Sequence, residues 1–581
     1  MSRALTSAHA PRARSKADPE LVVGASTFGT IFEWYDFFLY GTLASSIARH
    51  FFSGVNETTG FILALASFGI GFLVRPLGAL IFGRIGDMLG RKSTFLITLS
   101  GMGSATVLIG CIPDYSTIGI AAPLLLVMLR TLQGLAIGGE FAGAITYVFE
   151  HSPRNRRGLY TAFLTSSGMI GLLLSLLVIA LVRLTMEEAE FLKWGWRVPF
   201  VISLPLLAIC LWIRLKLHES PAFELLKAKG RISKMPLRET FLRPRNRRHV
   251  LIALATCAGQ AVVFYSTTFY ALFFLERAAR LDTLTVTKLM SIALLFGAAA
   301  GVAVGWLSDR IGRKPLLILG FVLMTWVTFA SFHGLLSAVN PALARAEAEA
   351  PLLVQAESSG CSFQFDPVGR KTFDQSACDI AVAALARVGV GYKLVPADGS
   401  ANAQVRIGNR IVAIPNPAVL DATQRAAAIG QFRLQLEAEL KQSGHLATPD
   451  AATIDSTRAI LILMALLAVN ALVCTPTCVI LAELFPARIR YSALALPQNL
   501  GNGWFGGFLP ATAFAIVAAT GNIFAGLWYP VVIAGIALVI GHFCLPETRW
   551  RNRTSASAAL RPKHTRRPRK KLRIRRAAAT G

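Results

Sequence analysis

Twelve apolar runs, each about 18–30 residues long, recur along the chain: Leu21–Ile47, Thr59–Phe82, Ser93–Cys111, Ile120–Phe149, Gly158–Leu184, Val198–Leu215, Val250–Phe274, Leu289–Trp306, Pro315–Leu336, Ala459–Ile480, Ser492–Ala518 and Ile523–Leu545. A run of that length covers a hydrocarbon layer of ~30 Å as a helix, the form in which a segment satisfies its own backbone hydrogen bonds in lipid. Composition agrees. Charged residues make up 16% and hydrophobic ones 54%, against roughly 25% charged for a soluble protein. Disorder, collagen and a small disulfide scaffold are excluded on the same figures. The first run is too long, and too rich in internal acid, for a cleaved signal peptide. The expectation is an all-α membrane protein.

A net charge of +27 would suit nucleic-acid binding until the charges are located. Arg214–Arg248 carries 11 basic and 3 acidic residues, and the tail from Arg549 carries 13 basic residues and no acid, so two segments supply +21. Both flank apolar runs, where the positive-inside rule places cations. The reading is therefore topology and contact with anionic lipid, above all through Arg561–Arg576, and no nucleic acid. With the N-terminus inside, the inner loops hold Arg84/Arg91/Lys92, Arg154/Arg156/Arg157, Arg214–Arg248, Arg310/Arg313/Lys314 and Arg488/Arg490. Both termini are then cytoplasmic, and the acidic Glu187, Glu188 and Glu190 fall outside.

The organisation expected is a cytoplasmic arm (1–20), a first six-helix half (21–215), a basic linker (216–249), a second half (250–336 and 459–546), and a basic tail (547–581). An insert (337–458) is too polar to cross and lies outside. Within it the sequence predicts strands near Ser362–Phe365 and Tyr392–Val395, a hairpin of Gln404–Ile407 and Ile411–Ile414 turning at Gly408-Asn409, and helices near Asp379–Val388 and Pro417–Lys441. That is a small α+β unit, with Cys361 and Cys378 free to form a disulfide in an oxidising exterior. Gly83-Arg-Ile-Gly-Asp-Met-Leu-Gly-Arg-Lys92 follows the second run and Gly305-Trp-Leu-Ser-Asp-Arg-Ile-Gly-Arg-Lys314 the eighth. A 6+6 duplication with a site between the halves is a transporter architecture. Gly83 and Gly305 allow close packing, Asp87 and Asp309 can accept bonds at neighbouring helix ends, and Arg91 and Arg313 supply cations. Such a cluster can latch an inner gate; the bland alternative is topology alone.

Ionisable groups inside the runs are functional candidates because a bare charge in lipid is costly. Glu33 and Asp36 lie near the centre of the first run, on neighbouring faces of one helix. Arg130 lies about 15 Å deep in the fourth and is the expected partner for one of them. Burial favours a neutral carboxyl and a neighbouring guanidinium a charged one, which suits a group that loads a proton in one conformation and releases it in another. A fixed ion pair, or a wet cavity wall, are the alternatives. Arg75, before Pro76, can hold a carboxylate in two-pronged fashion or cap backbone carbonyls. Gln133, Gln260, Tyr265 and Asn499, with Tyr270, Gln498 and Asn502, add neutral groups that serve either a substrate or helix contacts. Cys474 and Cys478 have no His or acid beside them, so no metal or other cofactor is expected, and nothing in the chain has the spacing of an enzyme's active site.

The two Gly-x-[Leu/Ile]-x-Asp-x-x-Gly-Arg-Lys loops resemble the signature of the major facilitator superfamily. Glu33-Trp-Tyr-Asp-Phe37, Arg130-Thr-Leu-Gln-Gly134 with Gly138-Gly-Glu140, Trp194-Gly-Trp-Arg-Val-Pro-Phe200, Glu219-Ser-Pro-Ala-Phe223 and Glu483-Leu-Phe-Pro-Ala-Arg-Ile-Arg490 narrow this to something similar to the bacterial metabolite:proton symporters, carriers of α-ketoglutarate, shikimate, citrate and proline/betaine. The resemblance covers all but the insert and tails. It implies the twelve-helix facilitator fold, proton-coupled uptake by alternating access in the inner membrane, and Arg130 and Gln133 at the cavity or coupling site; the chain is expected to work as a monomer. Met88 replaces the usual basic residue of the first loop, which would loosen that latch. The tail lacks the heptads of osmosensing betaine carriers, which favours small organic acids over zwitterions, over export, and over a non-transporting sensor whose insert binds ligand.

Overall fold

A computed structural model describes residues 19–53, 57–216, 219–230, 233, 235–356, 361, 374–396 and 403–548. The long helices are α1 (Pro19–Thr42), α2 (Glu57–Met88), α3 (Arg91–Cys111), α4 (Ala121–His151), α5 (Arg157–Thr185) and α6 (Val198–Leu215). They continue with α7 (Pro244–Tyr265, running on to Ala278), α8 (Thr283–Ile311), α9 (Lys314–Val339), α10 (Ser456–Leu484), α11 (Arg490–Asn499, running on to Thr520) and α12 (Trp528–Cys544).

Among the described residues, eleven helices are long and apolar enough to cross a membrane. The expected twelfth, α1, has the length, ~36 Å at 1.5 Å per residue, but Glu33 and Asp36 at its centre reduce its apolarity. Several helices outrun the apolar segments that announce them, because a helix continues through its polar ends once its middle is packed. α7 begins inside the expected linker and ends at Ala278, and that linker also holds two short helices, Pro221–Ala228 and Pro236–Leu242. Arg214, expected in the basic loop, is instead the last buried turn of α6.

The halves meet along two matched seams, α5 against α8 and α2 against α11. At the first, a Cβ on Gly305 would sit 2.7 Å from the Gly158 carbonyl, and at the second a Cβ on Gly83 would sit 3.1 Å from the Ser492 Cα. Small residues let these backbones approach. α7 and α11 carry stretches of π-helix, Ser266–Tyr270, Phe274–Ala278 and Leu500–Gly507. Such widened turns gather at functional sites.

Beyond α9 stands the insert. Its sheet has the order β2-β1-β3-β4, with β1 Leu352–Ala356, β2 Lys393–Pro396, β3 Gln404–Ile407 and β4 Arg410–Ala413. β1 and β2 are parallel across the helix Ala377–Val388, in register Val354↔Leu394, and β1 pairs β3 antiparallel with Val354↔Val405. Leu352, Val354, Val405, Ile407 and Val412 bury one face against Ile429, Phe432, Leu436 and Leu440 of the helix Ala422–Gln442. The hairpin turns at Gly408, whose φ of 56° suits glycine. β1 escaped the sequence reading: Leu-Leu-Val-Gln-Ala is short, and it directly follows a helix. The strand expected near Ser362–Phe365 lies outside the described residues.

The insert is bolted to the second half. Asn340 Nδ2 donates to the carbonyls of Ala279 (3.1 Å) and Ala447 (3.0 Å), Arg280 donates to the Val388 carbonyl (2.7 Å), and Tyr392 N donates to the Gly521 carbonyl (2.5 Å). Cys361 and Cys378 are joined as a disulfide.

Candidate functional site

Between the halves lies a cavity of about 20 Å³, room for about one water. Glu33, Trp34 and Phe37 of α1, Arg75 of α2, Ile137 and Phe141 of α4, and Gln498, Asn499 and Asn502 of α11 line it. Both halves thus contribute, but the charges come from the first. The halves close over it through rings: Trp34 lies 5.3 Å from Phe264, and Phe38 lies 4.8 Å from Phe269.

Arg75 is buried, its guanidinium 4.7 Å from the Phe37 ring and 4.6 Å from the Phe72 ring, beside Tyr265. The two rings pack against each other, with centroids 5.3 Å apart, and present one aromatic corner to the guanidinium, whose cation–π contacts hold it without consuming its hydrogen-bond donors. Its Nε has no hydrogen-bond partner among the described residues.

Asp36 and Arg130 lie nearer the insert end. Asp36 Oδ1 accepts from Ser203 Oγ at 2.6 Å, with Thr106 and Arg130 in reach. Arg130 donates to Gln133 Oε1 at 2.7 Å, Gln133 donates to Thr106 Oγ1 at 2.6 Å, and the guanidinium lies 3.2 Å over the Tyr40 ring. Arg130, Asp36 and Gln133 therefore belong to one cluster behind the cavity, and Gln133 does not line it. Gln260 is also set back, donating to Cys474 Sγ at 3.4 Å. Asn499 lines the cavity while donating to the Gly138 carbonyl at 2.7 Å, an α4–α11 contact.

Nearer the other end, where the repeated loops lie, is a pair the sequence reading missed. Arg214 Nη1 lies 2.8 Å from Glu140 Oε1, and both side chains are almost wholly buried, at 1% and 0% exposure. Glu140 was noticed only as part of a family motif. The usable signal was an acid nine residues from the end of one apolar run, with an arginine at the end of another.

At that same end, Asp87 Oδ2 accepts from Ser492 N at 2.9 Å, while Asp309 accepts from Gly158 N and Leu159 N, each at 2.9 Å. Each carboxylate thus meets the first turn of a helix in the opposite half, where free amides and the helix dipole favour an anion. Arg313 donates to Asp309 Oδ1 at 2.7 Å, and Arg490 to Glu150 Oε1 at 2.8 Å. Arg91's side chain lies outside the described ones. A second pair of contacts repeats within each half. Lys92 N donates to Glu219 and Lys92 Nζ to the Leu215 carbonyl; Lys314 N donates to Glu547 and Lys314 Nζ to the His542 carbonyl. Among the described residues no cluster of three or more His, Cys, Asp or Glu could hold a metal.

A family model, the major facilitator superfamily, matches residues 26–363. The chain belongs to that superfamily. A second model, sugar (and other) transporters, matches 443–557 of this facilitator. It is 39% identical over 316 residues to the shikimate transporter of Escherichia coli K12, covering 53% of this chain and 70% of that one. It is 36% identical over 299 residues to the alpha-ketoglutarate permease of the same strain, covering 51% and 67%. It is 38% identical over 332 residues to that strain's inner membrane metabolite transport protein YhjE, covering 55% and 74%. The solved proton:xylose symporter XylE shares the facilitator fold at 16% identity and TM-score 0.60, over 91% of this chain and 96% of that one. The facilitator is thus a multi-pass membrane transporter and not an enzyme.

Proposed function

We propose that this facilitator imports a small organic acid together with protons across a bacterial inner membrane, alternating access between its halves. The observation that carries this reading is Arg75: a buried guanidinium held against the paired rings of Phe37 and Phe72 in the wall of a cavity shared by both halves. A planar fork matches a carboxylate. Glu33 on the same wall, and Asp36 with Arg130 behind it, are the groups to which we assign proton coupling. Relatives named for shikimate and α-ketoglutarate support an acid as cargo.

In this reading the latched end, the basic linker (216–249), the arm (1–20) and the tail (547–581) face the cytoplasm and anionic lipid. The transport unit, a monomer, is built of 21–215 and 250–336 with 459–546, and the insert (337–458) faces outward. A zwitterion is the second reading, because Glu33 and Arg75 together offer both signs of charge in one cavity, and because a relative 34% identical over 327 residues is named a proline/betaine transporter.

Uptake by proteoliposomes of radiolabelled shikimate, α-ketoglutarate, proline and glycine betaine, with and without an imposed pH gradient, tests both. Accumulation of an acid that an uncoupler abolishes supports the first reading. Preference for proline or betaine replaces it with the second, and accumulation indifferent to the pH gradient removes proton coupling.

A further inference from the structure

Buried charges run down the first half in three tiers. From the insert end they are Asp36 with Arg130, then Glu33 with Arg75 at the cavity, then Glu140 with Arg214. The third tier has no part in the function proposed so far. It is also the only one of the three between the cavity and the latched end. We propose that Glu140 and Arg214 form, with Glu33, a relay that carries one proton per substrate from the cavity toward the latched end. The inference rests on the reading of Arg75 as the ligand of a substrate carboxylate in a proton-coupled carrier.

The geometry is specific. Ile137 and Phe141 of α4 line the cavity, while Glu140 between them is fully buried. Arg214 crosses from α6 to α1 and lies so close to Gly29 that a Cβ there would collide with the guanidinium. Gly29 is four residues before Glu33, one helical turn on the same face. The Arg214 guanidinium also lies 3.5 Å from the Phe95 ring of α3. Arg214 therefore sits between two carboxylates but bonds only one, Glu140 at 2.8 Å. Its Nε and Nη2, the second oxygen of Glu140, and Oε2 of Glu33 have no hydrogen-bond partner among the described residues. The charged groups in reach of Glu33 are Glu140 on α4, Arg214 on α6 and Arg75 on α2. Cys210 on α6 and Tyr147 on α4 are further titratable groups near Arg214.

Charge balance then sets the coupling. With Glu33 and Glu140 ionised, Arg75 and Arg214 neutralise them and the empty site needs no proton. A substrate carboxylate on Arg75 adds one negative charge to a site walled by buried side chains, with room for about one water. An uncompensated buried charge is strongly disfavoured, so the loaded site takes up one proton. Hydronium in the outer mouth gives that proton to a Glu33 oxygen, forming the O–H bond and releasing Arg75 to the substrate. After the substrate leaves inward, the Glu33 O–H bond breaks and the proton joins the free oxygen of Glu140. Arg214 transfers its hydrogen bond to the Glu33 carboxylate at the same time. Glu140 then yields the proton to water at the open inner end, and Arg214 returns to it.

The test uses the full chain in proteoliposomes with radiolabelled shikimate, or the panel acid that the wild type accumulates. Two rates are read: counterflow, which exchanges substrate without net proton movement, and accumulation driven by a pH gradient. A wild type that ignores the gradient sinks the symport reading itself and leaves the relay without a function. Given a coupled wild type, Glu140→Gln should keep counterflow within about threefold and lose accumulation by at least about tenfold, with a flattened pH profile for exchange. Glu140→Asp should regain part of the accumulation. Because Glu140→Gln leaves Arg214 without its carboxylate, Glu140→Gln/Arg214→Gln is the control that removes both charges together. It should exchange but not accumulate. Accumulation at the wild-type level in either variant, or equal loss of both rates in the double variant, overturns the relay, the latter because it marks the pair as purely structural.

Discussion

Asp309 on α8 accepts the backbone N–H of Gly158, which belongs to the opposite half, at 2.9 Å. Asp87 on α2 does the same for Ser492 N at 2.9 Å. Two carboxylates of one repeated motif thus each meet a helix N-terminus of the opposite half at the same end of the molecule, and in the proposed cycle these bonds must break for that end to open. A charged hydrogen bond contributes ~1.5–3 kcal/mol. Asp309→Ala should therefore raise the population open at the latched end by about one to two orders of magnitude. Alkylation of a reporter cysteine replacing Ala495, buried behind the Gly83 seam, would report this. Unchanged reactivity would show that the seams alone keep the end closed.

The parts legible in the sequence were those where one residue type dictates one structural role. Apolar length gave the helices, the doubled Gly-x-x-x-Asp loops marked the seams, and the Gly408-Asn409 turn gave the hairpin. The parts missed depend on neighbours distant in the chain. Arg214 looked like a loop cation because it follows an apolar run, and only the fold brings Glu140, 74 residues away, against it. Gln133 and Gln260, polar in apolar runs, left substrate contact and helix contact both readable; in the fold Gln133 bonds Arg130 and Thr106, and Gln260 donates to Cys474, 214 residues away.

The Cys361–Cys378 bridge closes a loop with a sequence separation of 17. Loop-closure entropy for that length is ~3 kcal/mol. Paired replacement by serine should leave the helices intact and make the insert markedly more sensitive to limited proteolysis, by about one to two orders of magnitude in rate. Single replacement of Cys361 should expose Cys378 to an impermeant maleimide applied from outside. Labelling only after the membrane is breached would place the insert on the wrong side and reverse the topology.

Glu347, on the short helix Pro341–Glu349 that leads into the insert, has a carboxyl pushed up to about 7 by burial. It packs near Gly391, with no ion-pair partner among the described residues. A carboxyl raised in the folded state stabilises it only while neutral. That advantage is complete below the ordinary value near 4.5 and is lost as pH rises through about 7. The difference is about 1–3 kcal/mol after allowance for partial exposure. Wild type should therefore melt a few degrees lower at pH 8 than at pH 5, relative to Glu347→Gln. Parallel melting curves for the two proteins across that range would mean that the site hydrates the charge.

Arg130 tests the outer tier. Its guanidinium lies 3.2 Å over the Tyr40 ring and donates to Gln133, with Asp36 in electrostatic reach. Arg130→Ala removes a desolvated cation–π contact of ~2 kcal/mol and a charged hydrogen bond of ~1.5–3 kcal/mol, and it takes away a cation that Asp36 depends on. Accumulation should fall by at least about a hundredfold. Arg130→Lys keeps the charge but not the flat, forked group that covers the ring and meets Gln133 together, so it should recover only part of the loss. Asp36→Asn is the informative companion. It keeps an acceptor for Ser203 Oγ while removing the ionisable group, so counterflow should persist if Asp36 titrates during the cycle and fail if it only braces α1 against α6. Wild-type accumulation in both Arg130→Ala and Asp36→Asn would leave this tier without a transport role and leave coupling to Glu33 and the groups below it.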